Sequence, residues 1–107
     1  QSLYFNCGTT DFAKGEETKI DEIVSDLELL NDTAASWQLD IRGMADNSGT
    51  QEISEKISVL RANKVAELLT GKSEKLRAAN QSIKPRGIGT NEGSECKVEF
   101  NVILIKQ

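Results

Sequence analysis

Apolar residues recur along this chain in two distinct periods. Between about residues 14 and 31 they fall at Ile20, Ile23, Val24, Leu27 and Leu30, one face of a helix, with Thr10 or Asp11 available as its N-cap. In WQLDIRGMA (37–45), Trp37, Leu39, Ile41 and Gly43 alternate with Gln38, Asp40 and Arg42, the period of a strand with one buried face. A second helical pattern covers about 51–70, burying Ile53, Ile57, Leu60, Val65 and Leu68 and ending at Gly71. SLYFNC (2–7), followed by the turn-forming GTTD, reads as a strand, and 72–80 as a short extra helix. The segment 82–89 reads as a strand near a sheet edge, because Pro85 has no N–H to give to a ladder, and 97–105 reads as a central strand.

The element order is therefore strand, helix, strand, helix, strand, strand. Right-handed crossovers make the first three strands parallel, and the last, arriving through the brief TNEGSE connection, runs antiparallel. This predicts an α/β sandwich of order β-α-β-α-β-β with helices packed on a mixed four-stranded sheet. At 107 residues the chain is expected to form one domain spanning 1–107.

Composition then excludes several classes of function. Apolar residues make up 37% and charged residues 28%, and no apolar run approaches the roughly 20 residues a membrane-spanning helix needs, so no transmembrane segment is expected. The net charge of -4 argues against nucleic acid as a partner, since phosphate-backbone affinity comes from many cations on one face. There is no His, and the two Cys stand far apart at 7 and 96, so no metal site and no cofactor are expected. No second acid is placed beside Asp46 by any motif, and no nucleophile beside a base, so no enzyme is expected. Nothing resembling a secretory signal opens the chain, as in a mature or trimmed segment. Trp37 and Met44 read as packing residues, and Glu16, Glu17, Asp21 and Glu22 as acids near the first helix start, where they favour its dipole.

The stretch GMADNSGTQEISEKISVLRANKVAELL resembles the central signature of the OmpA-like C-terminal domain, in which a glycine and an acid-bearing loop precede Asn-x-x-Leu-Ser-x-x-Arg-Ala-x-x-Val on the next helix. Asp46 falls on the loop acid and Gly49 on the loop glycine; Ile57 stands at the Leu, and Ser58, Arg61, Ala62 and Val65 match by type. YFNCGTT resembles the family's first strand, IKPRGIGTNEG its third, and CKVEFNV its last, so the likeness covers nearly the whole chain. Ser54 departs from the motif Asn, Ala45 supplies no hydroxyl, and Cys96 and Lys97 stand where the family carries arginines.

What the resemblance implies is a noncatalytic domain of the Gram-negative envelope that binds peptidoglycan through the diaminopimelate of its stem peptide. Such a domain lies in the periplasm, tethered to the outer membrane by a part not present here. Diaminopimelate carries an ammonium and a carboxylate on one carbon, so an anion and a cationic fork are needed side by side. Asp46 suits the ammonium, and Arg61, expected to be exposed, suits the carboxylate through two parallel hydrogen bonds. Backbone N–H groups from Asn47 to Gly49 and the following helix N-terminus add donors, with Ser54, Ile57, Ser58 and Lys97 completing the implied site. The alternative is an OmpA-like protein-docking component of an envelope assembly with weak or lost peptidoglycan binding, which makes other envelope proteins its partners.

Cys7 ends the first predicted strand and Cys96 immediately precedes the last. If those strands are antiparallel neighbours the two thiols come within disulfide reach, a bridge compatible with an oxidising periplasm; the alternative is two buried free thiols.

Overall fold

A computed structural model describes residues 2–33, 36–46, 49–90 and 95–104. The elements are β1 (Ser2–Tyr4), α1 (Thr18–Thr33), β2 (Trp37–Ala45), α2 (Gln51–Lys72), α3 (Glu74–Ala78), a short 3-10 turn (Asn80–Ser82), β3 (Ile83–Thr90) and β4 (Lys97–Leu104). The sheet order is β1-β4-β2-β3. β2 and β3 are parallel, and β4 runs antiparallel to both β1 and β2. The expected architecture is present: the first three strands point the same way, the last sits centrally, and the strand carrying Pro85 lies at an edge.

Burial follows the two-residue period along β2, where Trp37, Leu39 and Ile41 turn toward the helices. They meet Ile20, Val24 and Leu27 of α1 and Val65 and Leu69 of α2 in one apolar cluster. Across the opposite face runs a ladder of charges: Arg86 to Asp40, Asp40 to Arg42, Arg42 to Glu99, and Glu99 to Lys97.

Several local expectations are corrected. α1 begins at Thr18, later than the pattern suggested, and Thr10 and Asp11 do not cap it. The preceding residues are used in turns, including a left-handed Gly15 at φ 85°, and Phe5 bridges to Phe12 as the chain doubles back. Gly71 does not stop α2, which runs on to Lys72; the extended Ser73 ends it, and its hydroxyl accepts the Leu76 N–H to start α3. On α2 Val65 is buried as expected, but Ile53 is 51% and Leu60 54% exposed. The buried stripe is Ser54, Ser58, Arg61, Ala62, Val65 and Leu69.

The reason lies in the sheet. Gly43 and Gly87 are paired across β2 and β3, and α2 lies directly over them. A Cβ on Gly43 would meet the Ser58 carbonyl oxygen at 1.9 Å, and one on Gly87 would meet the Ser58 hydroxyl and the Val59 nitrogen at 2.5 Å. Backbone contact this close selects small side chains on the facing helix stripe and leaves Ile53 and Leu60 outside.

Two acids tie the β1 edge to its surroundings. Burial pushes the Glu16 carboxyl up, but its bonds from Lys19 and the Tyr4 N–H, with the Lys19 charge, bring it below its ordinary value. Hydrogen bonding from Lys97 lowers Glu99 against a smaller effect of burial. A carboxyl whose folded pKa is depressed contributes stability above its unfolded value, about 4.3, and that contribution is lost as pH falls through the folded value. The urea midpoint is therefore expected to drop between pH 5.5 and pH 3, and Glu16→Gln, which keeps an acceptor for Tyr4, should flatten that drop. An unchanged pH slope in the variant would remove Glu16 from this account.

Candidate functional site

The site forms where β2 ends and α2 begins. Asp46 follows the last residue of β2, and Thr50 caps α2 by accepting the Ile53 N–H at 3.2 Å. One turn into the helix, the buried Ser54 donates its hydroxyl to the Asp46 carbonyl at 3.1 Å and so fixes the start of the loop. One turn further, Ser58 donates to the Glu55 carbonyl at 2.7 Å and accepts the Gly89 N–H at 3.0 Å, pinning the end of β3. Asn47 lies outside the described residues; Gly49 is exposed.

Arg61, three residues after Ser58 on the same buried stripe, is fully buried rather than exposed as expected. Its Nη1 donates to the Met44 carbonyl at 2.7 Å. Its Nε and Nη2 both donate to the Thr9 carbonyl, at 3.0 and 2.8 Å, and Nη2 also reaches the Asn6 carbonyl at 3.4 Å. The guanidinium lies 5.3 Å from the Phe5 ring centroid. The physical reason for the burial is the segment between Phe5 and Phe12, which folds over α2 and brings its carbonyls to the cation. Burial lowers the Arg61 pKa from its ordinary value, and the Asp46 carboxylate acts in the opposite sense, so the two charges sense each other. A buried guanidinium with neutral acceptors on both edges and one carboxylate nearby is satisfied as a charge and as a donor.

Beside this pair is the Cys7–Cys96 disulfide, closing a sequence separation of 89 with Cα atoms 5.4 Å apart. The alternative of free thiols is excluded, there being none among the described residues. An Asp46 carboxylate oxygen and the two sulfurs all lie within 4.8 Å of one another. Cys7 is exposed and Cys96 buried.

Lys97 is not brought to this group. Cys96, just before β4, and Val98 on it are both buried, so Lys97 between them points to the opposite face, where its ammonium bonds Glu95 at 2.5 Å and Glu99 at 3.0 Å. Ile57 is half-buried on the helix flank. The sequence reading missed Lys64, which donates to the Thr10 carbonyl at 2.6 Å and sits 5.0 Å from the Phe12 ring, itself stacked on Phe5 at 4.7 Å. Two aromatic residues flanking the turn-rich NCGTTD were the available signal, since that composition marks a chain reversal.

The fold is an α/β sandwich with Asp46 just after the second strand and Arg61 on the following helix. No protein-family model and no curated protein matches the chain in sequence. Solved structures do match in shape. The peptidoglycan-associated lipoprotein from Burkholderia pseudomallei superposes with a TM-score of 0.76 at 16% identity, over 96% of this chain and 90% of that one. An outer membrane protein from Borrelia burgdorferi B31 gives 0.75 at 22% identity, over 98% and 86%. The OmpA-like domain of FopA1 from Francisella tularensis gives 0.73 at 16% identity, over 98% and 72%. The chain has the OmpA-like fold. Among the described residues no helix is long and apolar enough to cross a membrane.

Proposed function

We propose that this chain is a noncatalytic peptidoglycan-binding module of the Gram-negative envelope, held in the periplasm at the outer membrane by another part of its parent protein. The observation that carries the reading is that Arg61 bonds the Met44 carbonyl, two residues before Asp46, at the β2–α2 junction of an OmpA-like fold, the fold of a peptidoglycan-associated lipoprotein. Asp46 accepts the ammonium of diaminopimelate. Arg61 takes the carboxylate of the same carbon when the Thr9 carbonyl gives up its edge, and N–H groups of the α2 N-terminus add donors. Ser54 and Ser58 serve the site by holding its backbone; they do not reach for ligand.

Asp46→Ala is expected to weaken binding of a diaminopimelate-containing stem peptide by about 30-fold to several thousand-fold, the loss of one partner of a charged contact at about 2–5 kcal/mol. Lys97→Ala should leave affinity unchanged, because its charge is on the far face. Calorimetric titration, with circular dichroism as the fold check, measures both; equal affinity of wild type and Asp46→Ala ends the assignment of Asp46.

One observation favours a second reading. Every nitrogen of the Arg61 guanidinium is already bonded to backbone, which suits a docking component of an envelope assembly whose ancestral pocket has become structural. Co-sedimentation with purified insoluble peptidoglycan separates the two: a wild-type protein that stays in the supernatant both with its disulfide intact and after reduction selects docking.

A further inference from the structure

Residues 6–11 form a compact flap with its own hydrogen bonds. Asn6 N–H donates to the Asp11 carbonyl at 2.9 Å. The Asn6 carbonyl accepts the Thr9 N–H and hydroxyl at 3.1 and 2.8 Å, and the Thr9 hydroxyl accepts the Asp11 N–H at 3.1 Å. A left-handed Gly8 at φ 79° makes the turn between them. So tied, the flap moves as a unit.

Beyond its ends, covalent and hydrogen-bond fastenings join the flap to the rest of the molecule. They include the Cys7–Cys96 bond, the Arg61 bonds to Thr9 and Asn6, and the Lys64 bond to Thr10. The Thr9 carbonyl takes two N–H groups of one guanidinium edge, the two-pronged position that a carboxylate would fill. A neutral carbonyl is the weaker acceptor there, so without a covalent tie a ligand carboxylate competes with it favourably.

We propose that residues 6–11 are an autoinhibitory flap occupying the carboxylate edge of Arg61, and that the Cys7–Cys96 disulfide is its latch; this rests on the reading of Asp46 and Arg61 as the ligand site. The latch opens by thiol–disulfide exchange with a dithiol reductant. One donor thiolate attacks Sγ of Cys7, the exposed member, and the S–S bond breaks with Cys96 leaving as a thiolate that takes up a proton. The donor's second thiol resolves the mixed disulfide, releasing Cys7 as a thiol. Two electrons have then passed to the protein and the donor is left as a disulfide. Of the fastenings named above, the bonds from Arg61 and Lys64 to neutral carbonyls are then left to hold the flap, and Arg61 becomes available.

Reaction with phenylglyoxal, mapped by peptide mass, reads this without any ligand, with the exposed Arg77 and Arg86 as internal references. In the oxidised protein Arg61 should react at least about tenfold more slowly than Arg77; reduction, or the Cys7→Ser/Cys96→Ser pair, should remove most of that protection by local opening while the fluorescence of the buried Trp37 stays unchanged. Arg61 protected equally in both forms overturns the latch. So does Arg61 uncovered together with Trp37, since reduction would then unfold the protein as a whole. The second arm is co-sedimentation with peptidoglycan, where the reduced protein should bind on the order of tenfold more tightly. Equal binding by both forms with Arg61 uncovered overturns the autoinhibition and leaves the binding reading standing. No binding by either form with Arg61 uncovered overturns the binding reading and the proposal with it.

Discussion

Arg61→Ala is expected to destabilise the fold itself by about 3–5 kcal/mol, a large part of the total stability of a protein this size. The side chain is fully buried and its nitrogens bond the carbonyls of Met44, Thr9 and Asn6. Removing it strands the Met44 and Thr9 oxygens, each at about 1–3 kcal/mol, and leaves a void beneath the Phe5 ring. Arg61→Lys should recover only part of the loss, because one ammonium cannot reach acceptors on opposite edges of the guanidinium. Urea midpoints followed by Trp37 fluorescence measure this. A midpoint for Arg61→Ala equal to wild type would mean that water replaces the guanidinium, and would return Arg61 to the status of a surface ligand. The substitution is therefore a poor probe of ligand binding, and Asp46 is the cleaner one.

Gly43→Ala should cost on the order of 3–4 kcal/mol through overpacking. The added methyl would stand 1.9 Å from the Ser58 oxygen and 3.0 Å from the Ala62 nitrogen, both backbone atoms of α2, so no side chain can rotate away. The helix must lift from the sheet, and Ser54, Ser58 and Arg61 lift with it. Gly71→Ala is the control. It is also in α2, an added Cβ there meets nothing within 4 Å, and alanine should raise stability by up to about 0.5–1 kcal/mol. Thermal unfolding of both variants checks the contrast; equal melting temperatures for Gly43→Ala and wild type would show that the helix and sheet are not in contact at this point.

Strand directions, the edge position of Pro85 and the Cys7–Cys96 pairing were legible because each follows from local pattern plus a handedness rule. The errors share a different cause. Ile53 and Leu60 looked buried because they are large and apolar, yet the stripe was chosen by two glycines on other strands, information no helical period contains. Arg61 looked exposed because polar helix residues usually are, and two of its acceptors lie 52 and 55 residues away in sequence. Lys97 was misplaced by one position of alternation, which in a strand is the difference between the two faces of the sheet. The motif thus pointed to the β2–α2 junction where Asp46 and Arg61 stand, and left unread residues 6–11, whose carbonyls bond Arg61.

The sheet order has a consequence for how the chain comes to be folded. β1 pairs only with β4, and β4 also separates β1 from β2. Until the C-terminal strand has inserted, the N-terminal strand has no neighbour and the sheet consists of β2 and β3 alone. Assembly must wait for contacts between the two ends of the chain, the distant pairing that makes folding slow and all-or-none. That insertion sets the cysteines, 89 residues apart in sequence, side by side at 5.4 Å between Cα atoms. The bridge thus ties together the two chain ends whose pairing completes the sheet.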